Sequence, residues 1–138
     1  MSHTDIPAGF APIFRTSPFI ETIGPLYSAG SGASMVIGMR VQEKHKNARG
    51  TLHGGVLASV ADIALGYGMG TSTNPPTSMV TASLSVDFAG SAQIGDWVET
   101  SLDIQKIGAR MAFANVYFSV GGERIARASG VFLVLAKT

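Results

Sequence analysis

Between Arg49 and Asp87 the only formally charged side chain is Asp62, set in the stretch HGGVLASVADIALGYGMG. Its neighbours are Val60, Ala61, Ile63 and Ala64, and no cation stands at positions 58, 59, 65 or 66 to pair with it along a helix. Desolvating an unpaired carboxylate is costly, so an isolated one in an apolar segment asks for a reason. In a semi-enclosed cleft it can accept a proton from water or attack an acyl carbon directly. On an exposed stripe with Ser59 and Gly66 it would do neither. Both readings stay open from the local sequence.

Eight residues upstream, NARGTLHGG places Gly54 and Gly55 at the start of the same segment. Glycines at a helix start leave backbone N–H groups unshielded, and those groups are orphan donors at the positive end of the helix dipole. An oxygen developing negative charge can be bound there, an oxyanion-hole arrangement without a serine nucleophile. A purely packing role for the two glycines is the alternative.

These groups must be positioned by a helix and a sheet. Residues 54–69 repeat apolar side chains at Leu57, Ala61, Ala64, Leu65 and Gly68, the three- and four-residue spacing of a helix. Gly66, Gly68 and Gly70 weaken its end and let a large structure lie close. Pro75 and Pro76 make the following residues a loop. Residues 33–43 alternate as a strand, with Ala33, Met35, Ile37, Met39 and Val41 on one side. After residue 77 the period is again two. Val80, Ala82, Leu84, Val86 and Phe88 are expected on one face, Thr81, Ser83, Ser85 and Asp87 on the other. Further strands are expected over 96–107, 108–120 and 123–135, the last two joined at Gly121–Gly122. Residues 1–17 read as an irregular lead-in and 18–25 as a short helix. The expected class is α+β, one apolar helix packed on a mainly antiparallel sheet of five strands.

Composition narrows the function. The chain has 138 residues, enough for one domain with a modest core, here 18–138. Zero cysteines exclude disulfides, cysteine nucleophiles and thiolate metal sites, and suit a cytoplasmic protein. His3, His45 and His53 form no recognisable ligand cluster, so neither metal nor cofactor is expected. A net charge of +1 argues against nucleic acid as a partner. Neither a signal peptide nor a membrane span is expected, because Asp62 interrupts the longest apolar run. Lys44, His45, Lys46 and Arg49 make one basic cluster and Lys106 with Arg110 another, solvated loops or sites for a phosphate-bearing small molecule. Charged residues are 14% of the chain against roughly 25% in ordinary domains, which points to extensive subunit contact.

With Asn47, Gly50, His53-Gly54-Gly55 and Asp62 nine residues after the histidine, all ahead of four strands, the chain resembles the hotdog-fold acyl-CoA thioesterases. The likeness is to the phenylacetate-pathway and small thioesterase-superfamily branch, and runs from about residue 18 to residue 136. SLSVDFAGSAQIGDWV also fits, although Ser91 stands where proline is common. The resemblance implies one long central helix wrapped by a five- to six-stranded, mainly antiparallel sheet. It implies homodimers, or dimers of dimers, with active sites between protomers. One copy would offer Asn47, His53 and the Gly54 N–H to a thioester carbonyl, and the other Asp62 and the Thr81 hydroxyl. Asp62 would be nucleophile or general base, and His53 would hold the loop or assist through Asn47, with direct proton transfer as its alternative role. Arg49, Lys106 and Arg110 would meet the CoA phosphates, and Tyr67, Met69, Met79 and Phe88 are either pocket-lining groups or, as such side chains more often are, core. A hotdog-fold enoyl-CoA hydratase or dehydratase and a non-catalytic acyl-thioester binding protein are the competing outcomes.

Overall fold

The central helix has poor intrinsic material, with glycine at five of its eighteen positions, and is held by what it buries. In the computed structural model, which describes residues 5–135, α2 spans Gly54–Thr71. His53 caps its N-terminus through Nδ1, which accepts the Gly55 N–H at 2.8 Å. The Ser72 hydroxyl bonds the Met69 carbonyl at the other end. Leu57, Val60, Ala61, Ala64, Leu65 and Met69 are buried, the face that the three-four spacing marks. A shorter helix, α1 (Pro18–Ile23), starts at Ser17, whose hydroxyl accepts the Ile20 N–H at 3.2 Å.

Around α2 wraps one antiparallel sheet in the order β1-β2-β3-β5-β6-β7-β4. Its strands are β1 (Ala11–Pro12), β2 (Tyr27–Ala29), β3 (Val36–Arg40), β4 (Met79–Phe88), β5 (Trp97–Ile107), β6 (Met111–Val120) and β7 (Glu123–Val134). The face toward the helix carries Ala112, Ala114, Val116, Phe118, Ala126, Ala128 and Phe132, all buried. Small side chains in the middle of that row let the helix approach the sheet.

Seven strands replace the expected five or six. The two additional ones, β1 and β2, are two and three residues long, too short for an alternation to show. Pairing of Ala11 with Ser28 brings order inside the stretch read as an irregular lead-in. The strand expected over 33–43 is trimmed to Val36–Arg40 by 3₁₀ turns at Gly32–Ser34 and Glu43–His45. Arg40 is buried as well, donating to the carbonyls of Gly95 and Asp5 beside the Trp97 ring.

The larger correction concerns β4. Val80 pairs with Leu133, Thr81 with Phe132 and Ser83 with Val131, so Ala82 is an extra residue in a β-bulge. Strict alternation would put Thr81 with Ser83, away from the helix. The bulge resets the parity: Thr81 joins Leu84, Val86 and Phe88 on the helix side, and Val80 turns outward, 44% exposed. No helix among the described residues is long and apolar enough to cross a membrane.

Candidate functional site

Asp62 lies in the third turn of α2, half-buried, facing β4. Through the bulge, Thr81 reaches it: the Thr81 hydroxyl donates to Asp62 Oδ1. Among the described residues the ion pairs are Lys46–Glu43 and Arg127–Asp87, and neither involves Asp62. The carboxylate is therefore oriented by a neutral donor. A cleft of about 740 Å³ opens beside it, bounded by Phe14 and Phe19, by Ile63 and Tyr67 of α2, and by Met79 and Phe132. Asp62 also borders a smaller recess of about 270 Å³ with Phe19, Ala58, Ser59, Ile63 and Leu84. Ser59 itself is occupied, donating to the Gly55 carbonyl at 2.8 Å.

The start of α2 is a second construction. Asn47 Oδ1 accepts the N–H groups of Arg49 (2.9 Å) and Thr51 (3.2 Å), and its Nδ2 donates to Thr51 Oγ1 at 3.1 Å. The side chain thus ties the Asn47–Thr51 turn, in which Gly50 takes φ +87°. His53 is exposed, and its Nδ1 is engaged by Gly55, which leaves the ring hydrogen on Nε2. Among the described residues nothing accepts from the Gly54 N–H. It is the orphan donor of a helix first turn, with the Phe88 ring over the glycine: a Cβ added there would stand 3.1 Å from Phe88 Cζ.

His45 supports this turn from below. Sequence reading placed it in a basic cluster, yet it is 1% exposed. Its Nδ1 accepts the Gln42 N–H at 2.9 Å, Nε2 donates to the Ile23 carbonyl at 2.5 Å, and its own carbonyl accepts the His53 N–H at 2.8 Å. Burial holds its pKa below the ordinary histidine value, so both ring nitrogens serve as a neutral donor–acceptor pair. Only a hydrogen-bond pattern could have revealed this, and no spacing encodes it.

The remaining expected groups are dispersed. Gly54 and Asp62 are eight residues apart on one helix, roughly 12 Å along its axis. Arg49 is exposed in the Asn47 turn. Lys106 is exposed on the outer side of β5 after a bulge at Gln105, and Arg110 is in the β5–β6 turn. Register aligns Thr81, Phe132, Ala112 and Ile107, so Ile107 lies three strand spacings, roughly 14 Å, from Thr81, while the Arg110 carbonyl accepts the Val134 N–H of β7. Tyr67 and Met79 line the cleft, but Met69 is fully buried core and Phe88 lies over Gly54, 54% exposed. Phe14, Phe19 and Phe132 were missed as lining groups. The first two sit in a proline-rich stretch with no readable period. Among the described residues no three His, Cys, Asp or Glu side chains gather as metal ligands, and His3 lies outside them.

The family model described as Thioesterase superfamily matches residues 49–126. A Pseudomonas aeruginosa protein, named as a candidate esterase, is 44% identical over 129 residues, 93% of this chain and 96% of that protein. Mouse acyl-coenzyme A thioesterase 13 is 34% identical over 83 residues, 59% of this chain and 58% of that enzyme. The structure of a mutant phenylacetic acid degradation protein from Thermus thermophilus superposes with a TM-score of 0.76 at 27% identity, covering 86% of this chain and 100% of that one.

Proposed function

The chain belongs to the thioesterase superfamily and has its hotdog fold, and from that premise we propose that it hydrolyses an acyl-CoA thioester to the free acid and CoA. The observation that carries this reading is the pairing of Asp62 with the Thr81 hydroxyl where two recesses meet. A thioester has two arms leaving one carbonyl, and a carboxylate at the junction is placed to meet that carbon. The esterase-like and acyl-coenzyme A thioesterase relatives support the substrate class.

Two routes use the same residues. In one, Asp62 takes a proton from water, the hydroxide adds to the carbonyl carbon, and the C–S bond breaks to release CoA thiolate, which then takes up a proton. In the other, Asp62 adds to the carbonyl, CoA leaves, and water cleaves the resulting anhydride. Both pass through a tetrahedral oxyanion, and the orphan Gly54 N–H at the helix start is its donor.

The oxyanion donor and the carboxylate of one chain are too far apart to serve one carbonyl. We therefore assign the complete site to two copies, one giving the Asn47–His53–Gly54 end and the other Asp62 and Thr81. Strand β4 supports this pairing. It is an edge strand ten residues long with no buried residue, and natural proteins seldom leave such an edge bare. Arg49, Lys106 and Arg110 are proposed as contacts for the CoA phosphates, because each is an exposed cation able to make charge-assisted hydrogen bonds.

The test is steady-state CoA release over short, medium, long and aromatic acyl-CoAs. Asp62→Asn keeps an acceptor for Thr81 while removing the base or nucleophile, and turnover should fall about 10²–10⁴-fold. Thr81→Ala should cost roughly tenfold, the worth of one hydrogen bond to a charged group. Full activity in a correctly assembled D62N protein would overturn the assignment. Hydration of an enoyl-CoA without CoA release would instead favour the hydratase reading.

A further inference from the structure

We propose that the segment Phe14–Ile20 is the acyl-selecting wall of the site, and that it favours apolar acyl groups larger than acetyl. The inference rests on the thioester reading above and adds the element that chooses the substrate.

The segment is pinned at both ends. On one side the Ile13 N–H bonds the Leu26 carbonyl at 3.0 Å, next to the β1–β2 pairing. On the other, Ser17 caps α1 and Ile20 is buried in the core. Between these anchors Phe14 and Phe19 are 56% and 55% exposed. Both border the large cleft. The Phe14 ring meets the Tyr67 ring at 5.3 Å, which ties the segment to α2 across the opening.

The floor explains which way an acyl group would run. Gly66 and Gly70 follow Asp62 at intervals of four, so they share its face of α2 and leave it without side chains. That strip of glycine runs roughly 12 Å from the carboxylate to Gly70, where the Thr77 carbonyl oxygen ends it, 2.7 Å from where a Cβ would stand. The Phe132 ring closes it from the sheet side, 3.2 Å from where a Gly66 Cβ would be. A groove with a reactive carboxylate at one end, a glycine floor and aromatic walls fits an apolar chain or ring joined to the thioester carbonyl. At about 740 Å³ it has the size of a small-molecule site. The smaller recess, on the Gly54 side of Asp62, is left for the pantetheine arm. Phe19 borders both recesses, opposite Asp62. Phe14 and Phe19 fall outside residues 49–126, the part matched by the family model.

The experiment compares wild type, Phe14→Ala, Phe19→Ala and Phe14→Leu. Two ratios are read: kcat/KM for hexanoyl-CoA over acetyl-CoA, and calorimetric affinity for the hexyl-CoA over the ethyl-CoA thioether, neither of which can be hydrolysed. Both ratios should fall roughly tenfold or more in each alanine variant, with partial recovery in Phe14→Leu. Ratios that stay at the wild-type value, including a parallel loss for both substrates, would overturn the wall. If the wild type hydrolyses no thioester yet the thioether ratio falls in the variants, the wall stands and the hydrolase reading fails. Wild-type protein that binds neither thioether would overturn both.

Discussion

In the proposed reaction Asp62 and Gly54 divide the chemistry between a charge and a dipole, and each can be removed with little else disturbed. Gly54 is the first residue of α2, where a missing N–H breaks no intrahelical bond and proline is well tolerated. His53 already has ψ 132°, the extended setting a residue before proline prefers. Gly54→Pro should therefore lower kcat about 10²–10³-fold with the fold intact. Gly54→Ala crowds Phe88 in the same way but keeps the N–H, so it should retain most of the activity. Equal losses in the two variants would mean that the crowding, not the donor, matters. His45 makes a pH prediction at the same scale. Its folded pKa is depressed by burial below the ordinary 6.5, so the unfolded chain binds the extra proton first. Its contribution to stability is full above about pH 6.5 and is lost as the pH falls through the lowered folded value. Thermal melts taken from about pH 7.5 to about pH 5 should show a fall in Tm that is smaller in His45→Gln.

At the scale of elements, the site is set by how α2 lies against β4 and the loop before it. The Thr77 N–H donates to the Gly70 carbonyl at 2.9 Å, and a Cβ on Gly70 would stand 2.7 Å from the Thr77 carbonyl oxygen. A methyl group there must push two backbones apart, since neither neighbour is a movable side-chain tip. Gly70→Ala should lower stability by roughly 1–3 kcal/mol in urea unfolding, and an unchanged midpoint would contradict the packing described. These contacts also separate what was legible from what was not. Helix α2 could be read because Leu57, Ala61, Ala64 and Leu65 keep one period, and β5 to β7 because glycine turns part long alternating runs. The Asp62–Gly54 spacing was legible for the same reason. The face of Thr81 was not, because a bulge one residue away reverses it and Ala82 carries no mark of being the extra residue. Phe14, Phe19 and His45 were not legible as site or support groups, since their roles come from pairings of two or three residues and from bonds across 22 positions.

At the scale of the whole molecule, the proposed function gives one chain two half-sites that do not meet. The sparse charge of the sequence and the bare edge of β4 fit a protein that buries several faces against copies of itself. The central claim is that Asp62 from one copy and the Gly54 N–H from another act on a single thioester. The most direct measurement is CoA release from a mixture of Asp62→Asn and Gly54→Pro proteins after subunit exchange, each inactive alone. With random pairing into dimers, about one quarter of all sites combine two intact halves, and the mixture should recover about that share of wild-type activity. A mixture that stays as inactive as its components, with exchange confirmed, would contradict the account and place the whole reaction within a single chain.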